Sequence, residues 1–402
     1  ASQAEPAMVP PWLLLASVAS ASRGRCVLSP THAPHFDFYA RLLQSIKRHA
    51  SDPNAVDVYY VVDGQSNVNA FEDRHPEWKC NSAKCFATPL TMEKLLVEFG
   101  SSHTIMNLEL KRASAERRFW EDGRRHQALK KLYGVRWLRA KCDQVWVLDS
   151  ESFALRNFSW QQSFQDWFGR NETRNLFSDQ RDELCGNVDK RSHQLNAGPL
   201  DALGITTDAR QEFKQLHFRT MDYWFFQTDV VEAMMGLVEF LNARKFLNVF
   251  VEHAAGAAIY YGVFAHAYLS PGSSATRQAN VSALKFLSKF SLPSFLPQSY
   301  CNLVSKAYLP STSQKALQDF KSQGCKLHVD LDLALINGGG ESAKCALNVE
   351  LRRDVLKTAF PWLHGYRFDR SKGRSDVAEL FLSTPHITWA TSNWHGQFLL
   401  AR

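Results

Sequence analysis

The chain has 402 residues, 45% of them hydrophobic and 22% charged, a balance that excludes a disordered or fibrous protein and leaves ample material for a large core. Its formal net charge of +7 is a mild excess that suits a small anionic ligand. The strongest basic cluster, Lys111 to Arg125, is interleaved with acidic residues and joins no recognisable nucleic-acid module, so no nucleic-acid partner is expected.

The first segment, residues 1–24, contains an apolar run from Met8 to Leu15 followed by small residues up to Ser22. It reads as the remnant of a signal or stem segment, although it lacks a basic start. A membrane anchor upstream of it is expected to be missing from the chain. No other stretch approaches the ~18 apolar residues of a spanning helix.

Arg25 to Ser29 reads as a short strand, and Pro30-Thr31-His32-Ala33-Pro34 as a turn. Phe36, Tyr39, Leu42, Leu43 and Ile46 recur at helical spacing, predicting a helix over Phe36 to His49. Val56 to Val62 is β-branched and aromatic, a buried strand closed by Asp63-Gly64. Strand, helix and strand in that order predict a parallel α/β sheet. His103 to Leu110 reads as another strand, and Phe119 to Arg139 as a helix or helix pair rich in Arg and Lys. Gln144 to Leu148 is the next strand, ending at Asp149. Phe153 to Phe168 departs from sheet patterning. Tyr223 to Lys245 and Phe250 to Tyr261 read as helices, and Ser270 to Ser274 as a loop. Residues 284–326 alternate short helical patterns with Pro breaks. Asn337 to Gly340 is a turn, and the tail carries aromatic loops at Phe360–Gly365 and Trp389–Gly396.

Eight cysteines stand at 26, 80, 85, 142, 185, 301, 325 and 345. An even number fits disulfides, and Cys80 and Cys85 are spaced for a small loop; buried free thiols are the plainer alternative. No CxxC pair exists, which disfavours a zinc module. Sequons at Asn157, Asn171 and Asn280 add to the tilt toward the secretory pathway.

The chemistry concentrates where the strand Val145-Trp146-Val147-Leu148 stops at Asp149-Ser150-Glu151. The end of a strand in an open α/β sheet borders a crevice where ligands bind. Alternate positions on an extended backbone project to one side, so Asp149 and Glu151 can converge. Two carboxylates there can hold a hard divalent cation beside phosphate oxygens, and such a cation neutralises a leaving diphosphate. They are too close in sequence to flank a glycosidic bond at the ~5–9 Å that hydrolases use.

With this motif the sequence resembles GT-A fold nucleotide-sugar glycosyltransferases, which share a hydrophobic strand closing on a DxD-type motif. The resemblance covers roughly residues 25–265. It implies a Rossmann-like, mostly parallel central sheet flanked by helices as the catalytic domain, with 266–402 an irregular helical, acceptor-side region packed on it. It implies that the turn at Pro30 and Thr31 leads into the nucleotide site. Asp63 would lie near the base or ribose, and Lys130 and Lys131, with Arg124, would face the diphosphate. Asn196-Ala197-Gly198 would approach the sugar, with Gly198 permitting close backbone approach. Asp149, Ser150 and Glu151 would bind the donor through Mn²⁺ or Mg²⁺, with a histidine near the C-terminus, His395 or His364, as a further ligand; His386 is a third candidate. For an inverting transfer Glu252 is the candidate base and Asp222 the alternative. The implied donor is a UDP- or GDP-sugar, the acceptor a glycan or glycoprotein, and the place the Golgi or ER lumen.

The third position of the motif is Glu where the family's strict pattern has Asp, which keeps a carboxylate and lengthens its reach. Each residue has a plainer role: Asp149 as a turn or helix cap, the lysines as a solvated helix face, Glu252 as a helix-terminal acid. Trp160, Trp167, Trp224, Trp389 and Trp394 could stack on sugars or fill the core. A non-catalytic carbohydrate-binding or scaffold protein on a degenerate transferase fold is the rival reading.

Overall fold

The computed structural model describes residues 23–80, 85–115, 122–150, 152–154, 157–168, 196–215, 223–270, 273 and 281–293, together with three short strands nearer the C-terminus. Five strands form the central sheet: β1 (Gly24–Pro30), β2 (Asp57–Val62), β3 (Thr88–Thr91), β4 (Cys142–Leu148) and β6 (Tyr223–Gln227). Their spatial order is β3-β2-β1-β4-β6. All neighbours run parallel except β6, which is antiparallel to β4. The expected α/β class and mostly parallel central sheet are therefore present.

Both faces of the sheet are buried, which is why its inner strands read as continuous apolar runs. Cys26, Leu28, Tyr59, Val61, Val145 and Val147 pack into one core. Val27, Val58, Tyr60, Val62, Trp146 and Leu148 pack into the other. Helix α1 (Phe36–His49) and helix α2 (Gln65–Arg74) cover the second face. Helices α3 (Met92–Glu98), α4 (His103–Ala115) and α5 (Asp122–Leu138) cover the first. Helix α5 approaches the sheet closely at Gly134, where a Cβ would stand 2.7 Å from Leu28 Cδ2 and 3.1 Å from Val61.

Several elements differ from the sequence reading. His103 to Leu110 is helical within α4, because Met106 and Leu110, four residues apart, are the buried pair while Ile105 and Leu108 face solvent. Tyr223–Gln227 is strand β6, not the start of a helix; Phe225 and Phe226 enter opposite cores, as neighbours on a strand must. The following helix runs Thr228–Asn242. The helix expected from Phe250 to Tyr261 is two helices, Phe246–Glu252 and Ala257–Phe264, broken at His253 with Gly256 capping the second. Phe153 to Phe168 holds β5 (Ser152–Ala154) and helix α6 (Trp160–Phe168). Asp52 accepts from the Trp160 and Gln161 backbone N–H groups at 2.7 and 2.9 Å and so caps α6.

A second sheet joins β5 to β7 (Val329–Asp330), β8 (Tyr366–Phe368) and β9 (Trp389–Ser392) in the order β5-β9-β8-β7. Trp389–Ser392 is thus a strand, where an aromatic loop was expected. It runs antiparallel to β5, with Ser152 opposite Thr391, and parallel to β8. Disulfides link Cys26 to Cys142 across β1 and β4, and Cys80 to Cys85 in the small loop. Among the described residues no helix is long and apolar enough to cross a membrane.

Candidate active site at the switch point of the sheet

After β1 the chain turns to β2 on one side, then returns past β1 to place β4 on the other. The carboxyl ends of β1 and β4 therefore flank the point where the strand order reverses, the place where open α/β sheets bind ligands. Thr31 follows β1 there, and Asp149 follows β4. Asp63 ends the neighbouring β2.

The period of two along a strand puts Asp63 in line with Tyr59 and Val61, and Asp149 in line with Val145 and Val147. All four apolar residues face the core under α5, so both carboxylates face that helix too. Helix α5 meets them with two pairs of side chains four residues apart. His126 Nε2 and Lys130 Nζ lie 3.0 and 2.9 Å from Asp63 Oδ1. Lys131 Nζ and Gln127 Nε2 lie 2.7 and 3.1 Å from Asp149 Oδ1. One helix thus holds both strand ends in place.

Lys130 and Lys131 are buried, so they are not a solvated basic face. Lys130 also donates to the Thr31 carbonyl at 2.8 Å, and Thr31 N donates to Val61 O at 2.9 Å. The turn after Pro30 is thereby tied to β2 and α5. Burial pushes the Lys130 ammonium below its ordinary pKa, although Asp63 opposes the shift. At Asp63 burial favours the neutral acid, yet His126 and Lys130 more than offset it and hold the carboxyl well below the usual carboxylate range. Ser152 N donates to Asp149 O at 2.9 Å, which folds Asp149 to Ser152 into a turn. Ser150, buried within it, lies 3.3 Å from His35 Nδ1 and so joins the β4 end to the loop after β1.

The structure brings Pro30, Thr31, Asp63, Lys130, Lys131, Asp149 and Ser150 to this one edge. The other described candidates make contacts of their own. Asn196 is buried and donates weakly to Phe213 O at 3.4 Å. Gly198 does permit a close backbone approach, but of its own chain: a Cβ there would stand 2.5 Å from His253 O. Glu252 does not sit unpaired in an apolar pocket; Arg244 binds both its oxygens at 2.7 Å. Trp160 fills the core against Trp146. Glu151, Asp222, His364, His386, His395 and the Arg124 side chain lie outside the described residues.

The sequence reading missed His126 and Gln127, which share the α5 face with the two lysines. The spacings 126/130 and 127/131 were the available signal.

No family model matches the chain, and no curated protein matches it. Among solved structures it is similar to core-mannan synthase A from Aspergillus fumigatus in its Mn/GDP form, at 12% identity and a TM-score of 0.33, covering 62% of this chain and 71% of that one. It is similar to a mannosyltransferase from S. cerevisiae in complex with GDP, at 9% identity and a TM-score of 0.33, covering 62% and 67%. It is similar to mouse xyloside xylosyltransferase 1, apo form, at 10% identity and a TM-score of 0.34, covering 68% and 96%.

Proposed function

We propose that the chain is a glycosyltransferase that moves a sugar from a nucleoside-diphosphate donor to a glycan or glycoprotein acceptor. The observation that carries this reading is the pair of carboxylates, Asp63 and Asp149, held by one helix at the switch point of a mostly parallel sheet. Asp63, kept ionised, would accept from the base or ribose hydroxyls. The turn at Thr31, fixed by Lys130, would frame the nucleotide. Lys131 and Gln127 would hold the Asp149 carboxylate in one orientation.

Asp149 offers a hard oxygen donor suited to Mn²⁺ or Mg²⁺, and with Glu151 it would hold the ion. When bound, the ion would neutralise the departing diphosphate. For the further ligand the strand register favours His395 over His364. With Ser152 opposite Thr391, the chain leaves β9 toward the end of β5 nearest Asp149. In sequence His395 follows β9 by three residues, whereas His364 precedes the parallel strand β8 by two.

Register also reorders the candidate bases for an inverting transfer. Tyr223 stands opposite Leu148, the residue before Asp149, and Asp222 immediately precedes Tyr223 in the sequence. Glu252 is already held by Arg244, so Asp222 is the better candidate. The two disulfides among the described residues and an exposed Asn157 within a sequon favour the Golgi or ER lumen.

Calorimetric titration with UDP- and GDP-sugars in Mn²⁺, followed by donor turnover with and without EDTA, tests the reading. Wild-type protein should bind at least one donor and turn it over. Asp149→Ala should lose roughly 100-fold or more, the scale of removing one charge-stabilising group. Full activity in that variant would remove Asp149 from the site. Sugar binding without metal dependence or turnover would favour the non-catalytic reading.

A further inference from the structure

Asp63, His103 and His126 bring one oxygen and two nitrogen donors within 4.8 Å of one another. They come from three elements: the end of β2, the first turn of α4 and the body of α5. Asp63 Oδ1, His103 Nε2 and His126 Nε2 are all shielded from solvent, and none makes a hydrogen bond of good geometry. Within the cluster the His126–Asp63 contact stands at the ion-pair distance of 3.0 Å. Buried polar atoms rarely remain in this condition unless something else satisfies them.

A metal ion would satisfy all three. Zinc bonds of about 2.0–2.2 Å set neighbouring ligand atoms roughly 3–3.5 Å apart, the separation His126 and Asp63 already have. Two imidazoles and one carboxylate select borderline transition metals; Mg²⁺ and Ca²⁺ prefer oxygen. His103 Nδ1 lies 3.2 Å from the Asn107 side-chain amide. With the amide oxygen turned to it, Nδ1 is the donor and the Nε2 lone pair faces the cluster, the usual outer support of a ligating histidine. One group competes: Lys130 Nζ is 2.9 Å from the same Asp63 oxygen. The Thr31 carbonyl, 2.8 Å from that ammonium, gives it a second anchor when the carboxylate is shared.

We propose that Asp63, His103 and His126 form a binding site for a divalent transition metal of the Zn²⁺ class, separate from the Asp149 carboxylate. It stands whether or not the chain transfers sugars.

The test uses the full chain, metal-stripped and titrated with ZnCl₂ alone, with bound zinc counted by elemental analysis and heats read by calorimetry. Wild-type protein should take up one equivalent at this site. His103→Ala and His126→Ala should each weaken it at least 30-fold. Lys130→Met, which removes the competing cation, should tighten it, and Asp149→Asn should bind as wild type does. Co²⁺ added to unaltered protein should give visible d–d bands that Zn²⁺ bleaches, a readout that needs no variant to fold. Zinc uptake unchanged in both histidine variants, uptake lost in Asp149→Asn, or no Co²⁺ bands in the wild type would each overturn the proposal.

Discussion

Lys131 Nζ stands 2.7 Å from Asp149 Oδ1, with the lysine side chain 1% exposed and the aspartate side chain 12% exposed. Each is a counter-charge to the other in a place where the lysine is shut off from bulk water and the aspartate nearly so. Removing one member of such a pair leaves an uncompensated charge, at a typical cost of about 3–5 kcal/mol. Lys131→Met should therefore destabilise by about 3 kcal/mol, the lower figure because Asp149 keeps some access to water. That corresponds to roughly 6–12 °C in melting temperature for a domain of this kind. Thermal unfolding of Lys131→Met, Asp149→Asn and the double variant measures it. The double variant should lose less than the sum of the singles, and strict additivity would mean that the two residues are not coupled.

A pH effect follows from Asp63. Its folded pKa is depressed below the ordinary 3.8, with His126 and Lys130 outweighing the opposing effect of burial. A depressed carboxylate contributes stability that is fully present above the unfolded pKa and is lost as pH falls through the folded one. Acid unfolding should therefore steepen below about pH 4, and Asp63→Asn should flatten that part of the profile while being less stable at neutral pH. His266 adds a second window. Burial lowers its pKa from 6.5, against the pull of Glu212 3.3 Å away. Its contribution is present above pH 6.5 and declines as pH drops below that value, so His266→Gln should reduce the stability change between neutral pH and the onset of carboxylate titration. Denaturant midpoints across pH 3 to 8 check both; a variant profile parallel to wild type would refute the corresponding assignment.

What the sequence made legible was what both cores demand. β1, β2 and β4 are buried on two faces and stand out as apolar runs, and α1 keeps a clean helical stripe from Phe36 to Ile46. Asp63 and Asp149 were legible because each is the first charge after such a run. The failures have local causes. Tyr223–Gln227 abuts the apolar helix Thr228–Asn242 without a turn residue between them, so the strand merges into the helix. His103 to Leu110 alternates at Met106, Leu108 and Leu110, which mimics a strand, but Leu108 is exposed and only the helical pair is buried. His126 and Gln127 were invisible as site residues until the orientation of α5 was fixed, since a side chain's target depends on which helix face meets the sheet. Nothing in the neighbourhood of Glu252 in sequence announces that Arg244, eight residues earlier, returns to bind it.

Two glycines mark contacts that admit no side chain. At Gly134 a Cβ would press on Leu28 and Val61, which are side chains able to give a little. At Gly198 it would strike the His253 carbonyl, which is backbone and cannot move without its helix. Gly134→Ala should therefore cost about 1–3 kcal/mol, the usual range for overpacking. Gly198→Ala should cost at least as much, despite Ala's better helix propensity. Urea midpoints of the two variants test the ranking. A neutral Gly198→Ala would mean that the approach of residue 198 to His253 is looser than 2.5 Å implies.

The two disulfides among the described residues should contribute unequally. Cys26 and Cys142 are 116 residues apart in sequence and 6.0 Å apart between Cα atoms, linking neighbouring strands of the central sheet. Cys80 and Cys85 are five residues apart and 4.7 Å between Cα atoms. Both separations lie within the span a disulfide bridges. A cross-link stabilises chiefly by restricting the unfolded chain, by more for a longer loop. On that account the first is worth roughly 5 kcal/mol and the second about 2 kcal/mol. Replacing Cys26 and Cys142 together by Ala should lower the denaturant midpoint well beyond the loss from replacing Cys80 and Cys85. Cys26 and Cys142 are also wholly buried, so reductant should open their bridge only as the sheet unfolds. Mass-spectrometric counting of alkylated thiols after mild reduction of the folded protein measures this directly. Of these four cysteines, Cys80 and Cys85 should take label before Cys26 and Cys142; early labelling of Cys26 would mean that the pairing of β1 and β4 opens in the native state, at the very strands that carry the site.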